Sequence, residues 1–160
     1  MGKVAVAIIG KEEFGIDIAR IVEILKRQKV FQLPNLPDFV AGVINLRGEV
    51  IPVIDLRRRF GVEDIGGKGR IVVIRFGKEK IGLSVDDIKE IINLDPSEIS
   101  SPPSIFKGLK TEYMNGMGRR NERIIVILNL DSILTTEEQI KIEEMMEKEI
   151  EREAGNETSY

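Results

Sequence analysis

The side chains of this chain that could do acid–base or metal chemistry are carboxylates without their usual partners. The sequence has no histidine and no cysteine, which removes the commonest general base, the commonest metal ligand, any thiolate nucleophile and any disulfide. Ser-His-Asp and Cys-His arrangements are excluded. Asp86-Asp87 is the one adjacent acidic pair set in an apolar stretch, and it would share a proton or clamp a metal only if both carboxylates faced one way. Neighbouring strand positions point to opposite faces, so a turn that closes the Ile81 to Val85 run is the simpler reading. Glu63-Asp64 and Glu143-Glu144 read as solvated surface, and Gly66-Gly67-Lys68-Gly69 lacks the spacing of a phosphate-binding loop and the helix that would follow it. No constellation specifies an active site, and no cofactor or metal is expected.

A different chemistry, recognition without reaction, is carried by Arg47-Gly48. Two β-branched runs, Val43 to Leu46 and Val50 to Ile54, flank this pair, so a tight hairpin is predicted with Gly48 free to adopt positive φ. Its tip would hold out a rigid five-donor guanidinium where backbone can be approached closely, although an exposed turn arginine can equally be solvated. Pro52 cannot donate to a ladder, which predicts an edge strand or a bulge there. Asp55 should cap one helical turn with Leu56 and Phe60 on one face and Gly61 as its stop.

The elements around this hairpin occur twice. Val4 to Ile9, a polar turn at Gly10-Lys11-Glu12-Glu13, and alternating Phe14, Ile16 and Ile18 predict a second hairpin. Ile18, Ile21, Val22 and Leu25 then have helical spacing with Asp17 as cap, and a second reading keeps Val22 and Ile24 in a strand. The stretch 10–18 aligns without gaps on 77–85 at an offset of 67, and 50–56 aligns on 124–130 at an offset of 74. Matched strands in one order mean a β-rich unit used twice, with the seam near Gly66-Gly67-Lys68-Gly69. Pro96 to Lys110 and Met114 to Asn121 read as loops. Beyond Leu134, Thr136 with Gln139 predicts a capping box for a helix whose thin stripe is Ile142, Met145, Met146 and Ile150.

Composition sets the outer limits. With 160 residues and 42% hydrophobic side chains the chain can furnish the core of one domain or of two small packed subdomains. A net charge of −3 offers no field for nucleic acid. No apolar run reaches the roughly 18 residues of a membrane span, and the N-terminus lacks a signal-peptide core, so a cytoplasmic protein is expected. Short strands in two repeats favour an all-β class built from small barrels, closure being the simplest way to remove strand edges.

The stretch Gly42-Val43-Ile44-Asn45-Leu46-Arg47-Gly48-Glu49-Val50-Ile51-Pro52-Val53-Ile54-Asp55-Leu56 resembles the signature of the CheW family, the coupling proteins of bacterial chemotaxis. Phe14-Gly15-Ile16-Asp17-Ile18, then Val22-Glu23-Ile24, and a late Ile125-Val126-Ile127-Leu128-Asn129-Leu130 are similar to it in the same order, so the resemblance spans about residues 3 to 140. It implies two intertwined five-stranded SH3-like barrels with short helices. With the repeat and the helical pattern, one domain is expected over 1–150: subdomain one about 10–67, subdomain two about 68–134 with strand exchange, and a C-terminal helix about 136–150 packing back; the tail 151–160 has too little apolar surface to order and is expected disordered. The resemblance implies no catalysis. The implied partners are the regulatory domain of a CheA-type histidine kinase and the cytoplasmic tips of chemoreceptors, met by a protein monomeric when free, recruited to membrane-associated arrays and not inserted in the membrane.

By the same resemblance Ile21, Glu23, Gly42, Val43, Arg47, Gly48 and Ile71 are expected at a receptor groove, with Glu23 and Arg47 as an ion pair. Ile21, Val43 and Ile71 read equally well as core. Kinase binding is expected through the second copy, at Ile81, Leu83, Val85, Ile124 and Val126, with the first copy meeting another kinase subdomain in the neighbouring ring position. Two other classes stay open: a small β-barrel RNA-binding module, which six Phe and two Tyr could hardly serve beside a core, and a carboxylate-metal hydrolase. Arg57-Arg58-Arg59 is more basic than its turn needs, and the acidic tail is longer than packing requires.

Overall fold

A computed structural model of the chain describes residues 2–62, 69–101 and 110–157, the last eight of these as backbone only. The strands are β1 (Lys3–Ile9), β2 (Glu12–Asp17), β3 (Ile21–Lys26), β4 (Val40–Leu46), β5 (Glu49–Asp55), β6 (Arg70–Phe76), β7 (Glu79–Val85), β8 (Asp87–Asn93), β9 (Ile99–Ser100), β10 (Met114–Arg120) and β11 (Arg123–Leu128). Two α-helices accompany them, α1 (Leu56–Phe60) and α2 (Thr136–Glu157). They form a five-stranded sheet in the order β3-β6-β7-β5-β4 and a six-stranded sheet in the order β8-β1-β2-β11-β10-β9, the sixth member being only two residues long. This is the all-β, SH3-like architecture expected.

Each sheet borrows its central hairpin from the other half of the chain. The N-terminal hairpin β1–β2 lies between β8 and β11, while β6–β7 lies between β3 and β5. The duplication holds at the level of register: Val53 faces Gly82 where Ile127 faces Gly15, and Leu25 faces Ile71 where Ile92 faces Val4. Those pairings reproduce the sequence offsets of 74 and 67. Of the Gly66 to Gly69 seam only Gly69 lies within the described residues.

Exchange places the borrowed hairpins where both faces are covered, which is why β1 and β6 are continuous apolar runs. On β6, Ile71 and Val73 enter the interior of the first barrel with Ile44, Ile51 and Val53. Val72, Ile74 and Phe76 face the other way, into a junction shared by both sheets that also holds Phe14, Ile54 and Leu56. The second barrel is filled by Val4, Val6, Ile92, Leu94, Ile125 and Ile127. Phe60 of α1 stacks on Phe14 at 5.5 Å and meets Tyr113 at 5.2 Å, tying the helical turn into the junction.

Several local expectations meet a different outcome. Asp17 caps only a 3-10 turn, Ile18–Arg20, through the Ala19 N–H at 3.0 Å, and the chain then extends as β3 because β6 offers it a ladder. Pro52 is on an interior strand, tolerated because the ladder to β7 begins one residue later, at Val53. Met114 to Arg120 is a strand, not a loop. Its glycines permit close approach: a Cβ on Gly116 would stand 2.9 Å from the Ser100 carbonyl oxygen, and one on Gly118 2.9 Å from Leu94. Residues 102–109 of the Pro96 to Lys110 loop lie outside the described residues, and what precedes them is a capped 3-10 turn and β9.

The helices are pinned by the basic run. Asp55 caps α1 through the Arg57 and Arg58 N–H groups, and Gly61 closes it at φ 69°. Arg57 reaches Asp86 at 3.1 Å, Arg58 pairs with Asp55 and donates to the Asp38 carbonyl. Arg59 donates to the Ile133 carbonyl, makes a bidentate pair with Glu138 at 2.6 and 2.8 Å, and lies 4.0 Å over the Phe39 ring. Each arginine therefore fastens a different element. The capping box of α2 is Thr135 with Glu138, one residue ahead of the expected pair, and the helix continues through Glu157, past the expected stop at 150. No described helix is long and apolar enough to cross a membrane.

Candidate functional site

The acidic residues form no reactive centre among the described residues. Asp86 is buried and fully engaged: one carboxylate oxygen accepts the Gly10 N–H at 2.6 Å and the other faces Arg57. Asp87 instead accepts the N–H of Ile88. The pair diverges and ties the exchanged hairpin to α1. No described buried side-chain polar atom lacks a partner, and no described cluster of acidic side chains could hold a metal.

Recognition geometry is found at the β4–β5 tip. Arg47 takes φ 52° and Gly48 φ 86°, and the Asn45 carboxamide oxygen accepts the Gly48 N–H at 2.9 Å. The turn thereby aims Arg47 back across β3, where its two terminal nitrogens donate to the Glu23 carboxylate at 3.3 and 2.6 Å. Arg47 holds the Glu23 carboxyl below the usual carboxylate value, and Glu23 raises the guanidinium in turn. The arginine side chain is 70% exposed and the glutamate 31%, so the pair is a fixed, charged feature open to solvent. Beside it Lys80 binds Glu49 at 2.9 Å.

The other residues expected at this groove separate into different roles. Ile21 is half-buried and packs against the junction beside the ion pair. Gly42 sits at φ 144°, and a Cβ there would stand 2.3 Å from the Phe31 carbonyl oxygen, so its role is to let the 27–33 segment cross close to β4. Val43 is buried where its N–H and C=O exchange hydrogen bonds with Phe31, both at 2.8 Å. Ile71 is interior to the first barrel and does not reach the tip.

Of the residues expected to meet a kinase, Ile81, Leu83, Val85 and Val126 are buried in the junction and present no side chain to a partner. The cause is the exchange: the strand face that would have been a surface in an isolated repeat is covered by the other half. Ile124 is 48% exposed, and Ile91 on β8, not singled out from the sequence, is 54% exposed. Near them Glu13 binds Arg123 at 2.8 Å and Lys89 at 3.1 Å, and Arg123 also meets Glu90 at 3.4 Å. An apolar pair with a charged rim results.

The first half carries the counterpart: Ile24 and Val50 are exposed at the positions 67 and 74 residues before Ile91 and Ile124, joined by Val22 and Phe31. Applying both offsets to the strand alternation was the sequence signal that could have found these side chains.

Known proteins match this arrangement over most of its length. The CheW-like domain family profile matches residues 3–138. The chemotaxis protein CheW of Klebsiella aerogenes is 35% identical over 132 residues, covering 81% of this chain and 80% of its own, and that of Helicobacter pylori is 35% identical over 129 residues, covering 79% and 78%. The crystal structure of the scaffolding protein CheW from Thermoanaerobacter tengcongensis superposes with a TM-score of 0.80 at 34% identity, covering 84% of this chain and 88% of that one. On profile, identity and fold together, the chain belongs to the CheW family of chemotaxis scaffold proteins, which are not enzymes.

Proposed function

We propose that this protein couples a CheA-type histidine kinase to the cytoplasmic tips of chemoreceptors in signalling arrays. The observation that carries the reading is a repeated fold bearing two unlike surfaces. The first barrel offers the Arg47–Glu23 pair beside half-buried Ile21, and the second offers Ile91 and Ile124 rimmed by Glu13, Lys89, Glu90 and Arg123. A module with one such surface binds one partner; two unlike surfaces on a rigid junction hold two partners at fixed spacing. We assign the receptor tip, a helical hairpin, to the Ile21, Glu23, Arg47 and Gly48 side, and the kinase regulatory domain to the Ile91 and Ile124 side. The first barrel's Ile24 and Val50 then face the next kinase subdomain in a ring. In this reading the protein is cytoplasmic, monomeric when free, and reaches the membrane only through its partners.

Titration calorimetry against an isolated kinase regulatory domain and a receptor hairpin fragment tests the assignment. Binding of both at once, with no competition, is expected. No heat at tens of micromolar for either partner, or mutual displacement, would refute it.

A further inference from the structure

The long helix α2 is held unequally along its length. Its first two turns are clamped by the bidentate Arg59–Glu138 pair, the Thr135 capping box and buried Ile142. Further along, Met146 and Glu149 stand over an opening of about 350 Å³ floored by Phe31, Val43, Asn45 and Val50. Phe31 is 49% exposed even with the helix in place, and Lys29 sits over its ring at 5.1 Å. Asn45 is the residue that braces the Arg47-Gly48 turn, so this apolar trough begins at the recognition tip.

We propose that the distal half of α2 is a resident strap that occupies a helix-binding trough on the first barrel and is displaced by a partner's amphipathic helix. The occupant's chemistry is read from α2 itself. Over Thr136–Glu157 it has nine Glu against three Lys or Arg, with Ile142 and Met146 on one stripe at i, i+4. Lys29 flanks the path at Phe31, and Lys80, paired with Glu49, lies along it, so a helix with paired apolar anchors of the α2 kind suits it. This inference rests on the coupling reading, which supplies a helical hairpin as the competitor. A trough already filled in part of the population lowers a partner's apparent affinity by the open fraction.

The chain's lack of cysteine allows a direct test. A protein ending at Glu144, and separately Met146→Ser in the full chain, are titrated with a receptor hairpin fragment and with a synthetic peptide of residues 136–157. Circular dichroism confirms that each still folds. Both variants should bind the hairpin about tenfold more tightly than the full chain, and the peptide should bind the shortened protein and compete with the hairpin. Cross-linking Gln32→Cys, on the wall of the same opening, to Met146→Cys with a flexible bis-maleimide should abolish hairpin binding and leave the kinase domain's affinity unchanged. Equal hairpin affinity in full, shortened and cross-linked forms overturns the strap alone. No hairpin binding to any form overturns the coupling reading and the strap with it.

Discussion

Glu13 and Lys80 stand at equivalent points of the two exchanged hairpins and carry opposite charges. Glu13 is answered by Arg123 on β11 at 2.8 Å, Lys80 by Glu49 on β5 at 2.9 Å, and the second pair is the first with its signs reversed. Exposed pairs of this kind contribute only about 0–1 kcal/mol to stability. Their reversal instead makes two surfaces of one shape electrostatically unlike, so a partner suited to one meets like charges at the other.

Ile124→Asp should therefore weaken the kinase regulatory domain by tenfold or more, on the order of a hot-spot loss, whereas Val50→Asp should leave that contact intact. Ile124 is half in solvent, so melting temperature should hardly move. Val126→Asp, placed in the junction core, should unfold the protein instead. Calorimetry and thermal melts on the three variants separate surface from core.

Arg47→Ala should reduce receptor-hairpin affinity by about tenfold or more with a nearly unchanged melt, because the ion pair it breaks is exposed. A large fall in melting temperature with full receptor binding would assign the pair to stability.

Gly42→Ala should act through the fold. Its φ of 144° and the Phe31 oxygen 2.3 Å from a new Cβ demand that the 27–33 segment move, at a cost of about 2–4 kcal/mol. Urea unfolding should show the loss, and any defect in partner binding should vanish in proportion at lower temperature.

Arg59→Lys keeps the charge and loses the fork. With one donor set in place of a bidentate pair and a ring contact, the variant should lose about 1–3 kcal/mol and expose the α2 amides to hydrogen exchange. Unchanged exchange in 136–149 would show that α2 is held by its apolar stripe alone.

Stability should be flat between about pH 5 and 8, since no histidine titrates there. Below that range four glutamates matter. Arg120 and the Asp95 N–H hold Glu98 down to about 2, Arg47 lowers Glu23, and Arg123 with Lys89 lowers Glu13. At Glu138 partial burial opposes the shift, and Arg59 with the Thr135 contacts overrides it. Folded values below the ordinary glutamate value of 4.5 mean that the unfolded chain binds more protons. Their contribution is thus complete above that value and lost as pH falls toward 2. A urea midpoint that rises on acidification from pH 5 would contradict this.

Most strands and their duplication were legible because β-branched runs, turn glycines and the two offsets are local signals; β10, with Gly116 and Gly118 in place of β-branched residues, was not. Asp55, Leu56, Phe60 and Gly61 likewise specify α1 within seven residues. What was not legible depends on exchange. Ile81, Leu83 and Val85 alternate as surface strands do, and only the arrival of the other half buries both faces. Ile18 to Leu25 satisfies helical spacing, yet β6, some fifty residues on, supplies a ladder that overrides it. The Glu23–Arg47 contact came from family resemblance; no periodicity joins positions 24 residues apart. Ile91 was passed over because it adjoins Ile92, and the sequence of two neighbouring isoleucines does not say which one is buried and which is exposed.

The interlocked hairpins also govern how the protein comes into being. While the ribosome has released only the first sixty residues, β1 and β2 lack both flanking strands, and β3 and β5 lack the hairpin that will separate them. The first barrel can close once β7 has emerged, but β1 and β2 must wait for β8 and then β11, so the hairpin made first is the last to be enclosed, through long-range pairings that form slowly. A nick between Val62 and Gly69 should leave the two fragments bound to each other, each supplying the other's central hairpin, while either fragment expressed alone should fail to form a barrel.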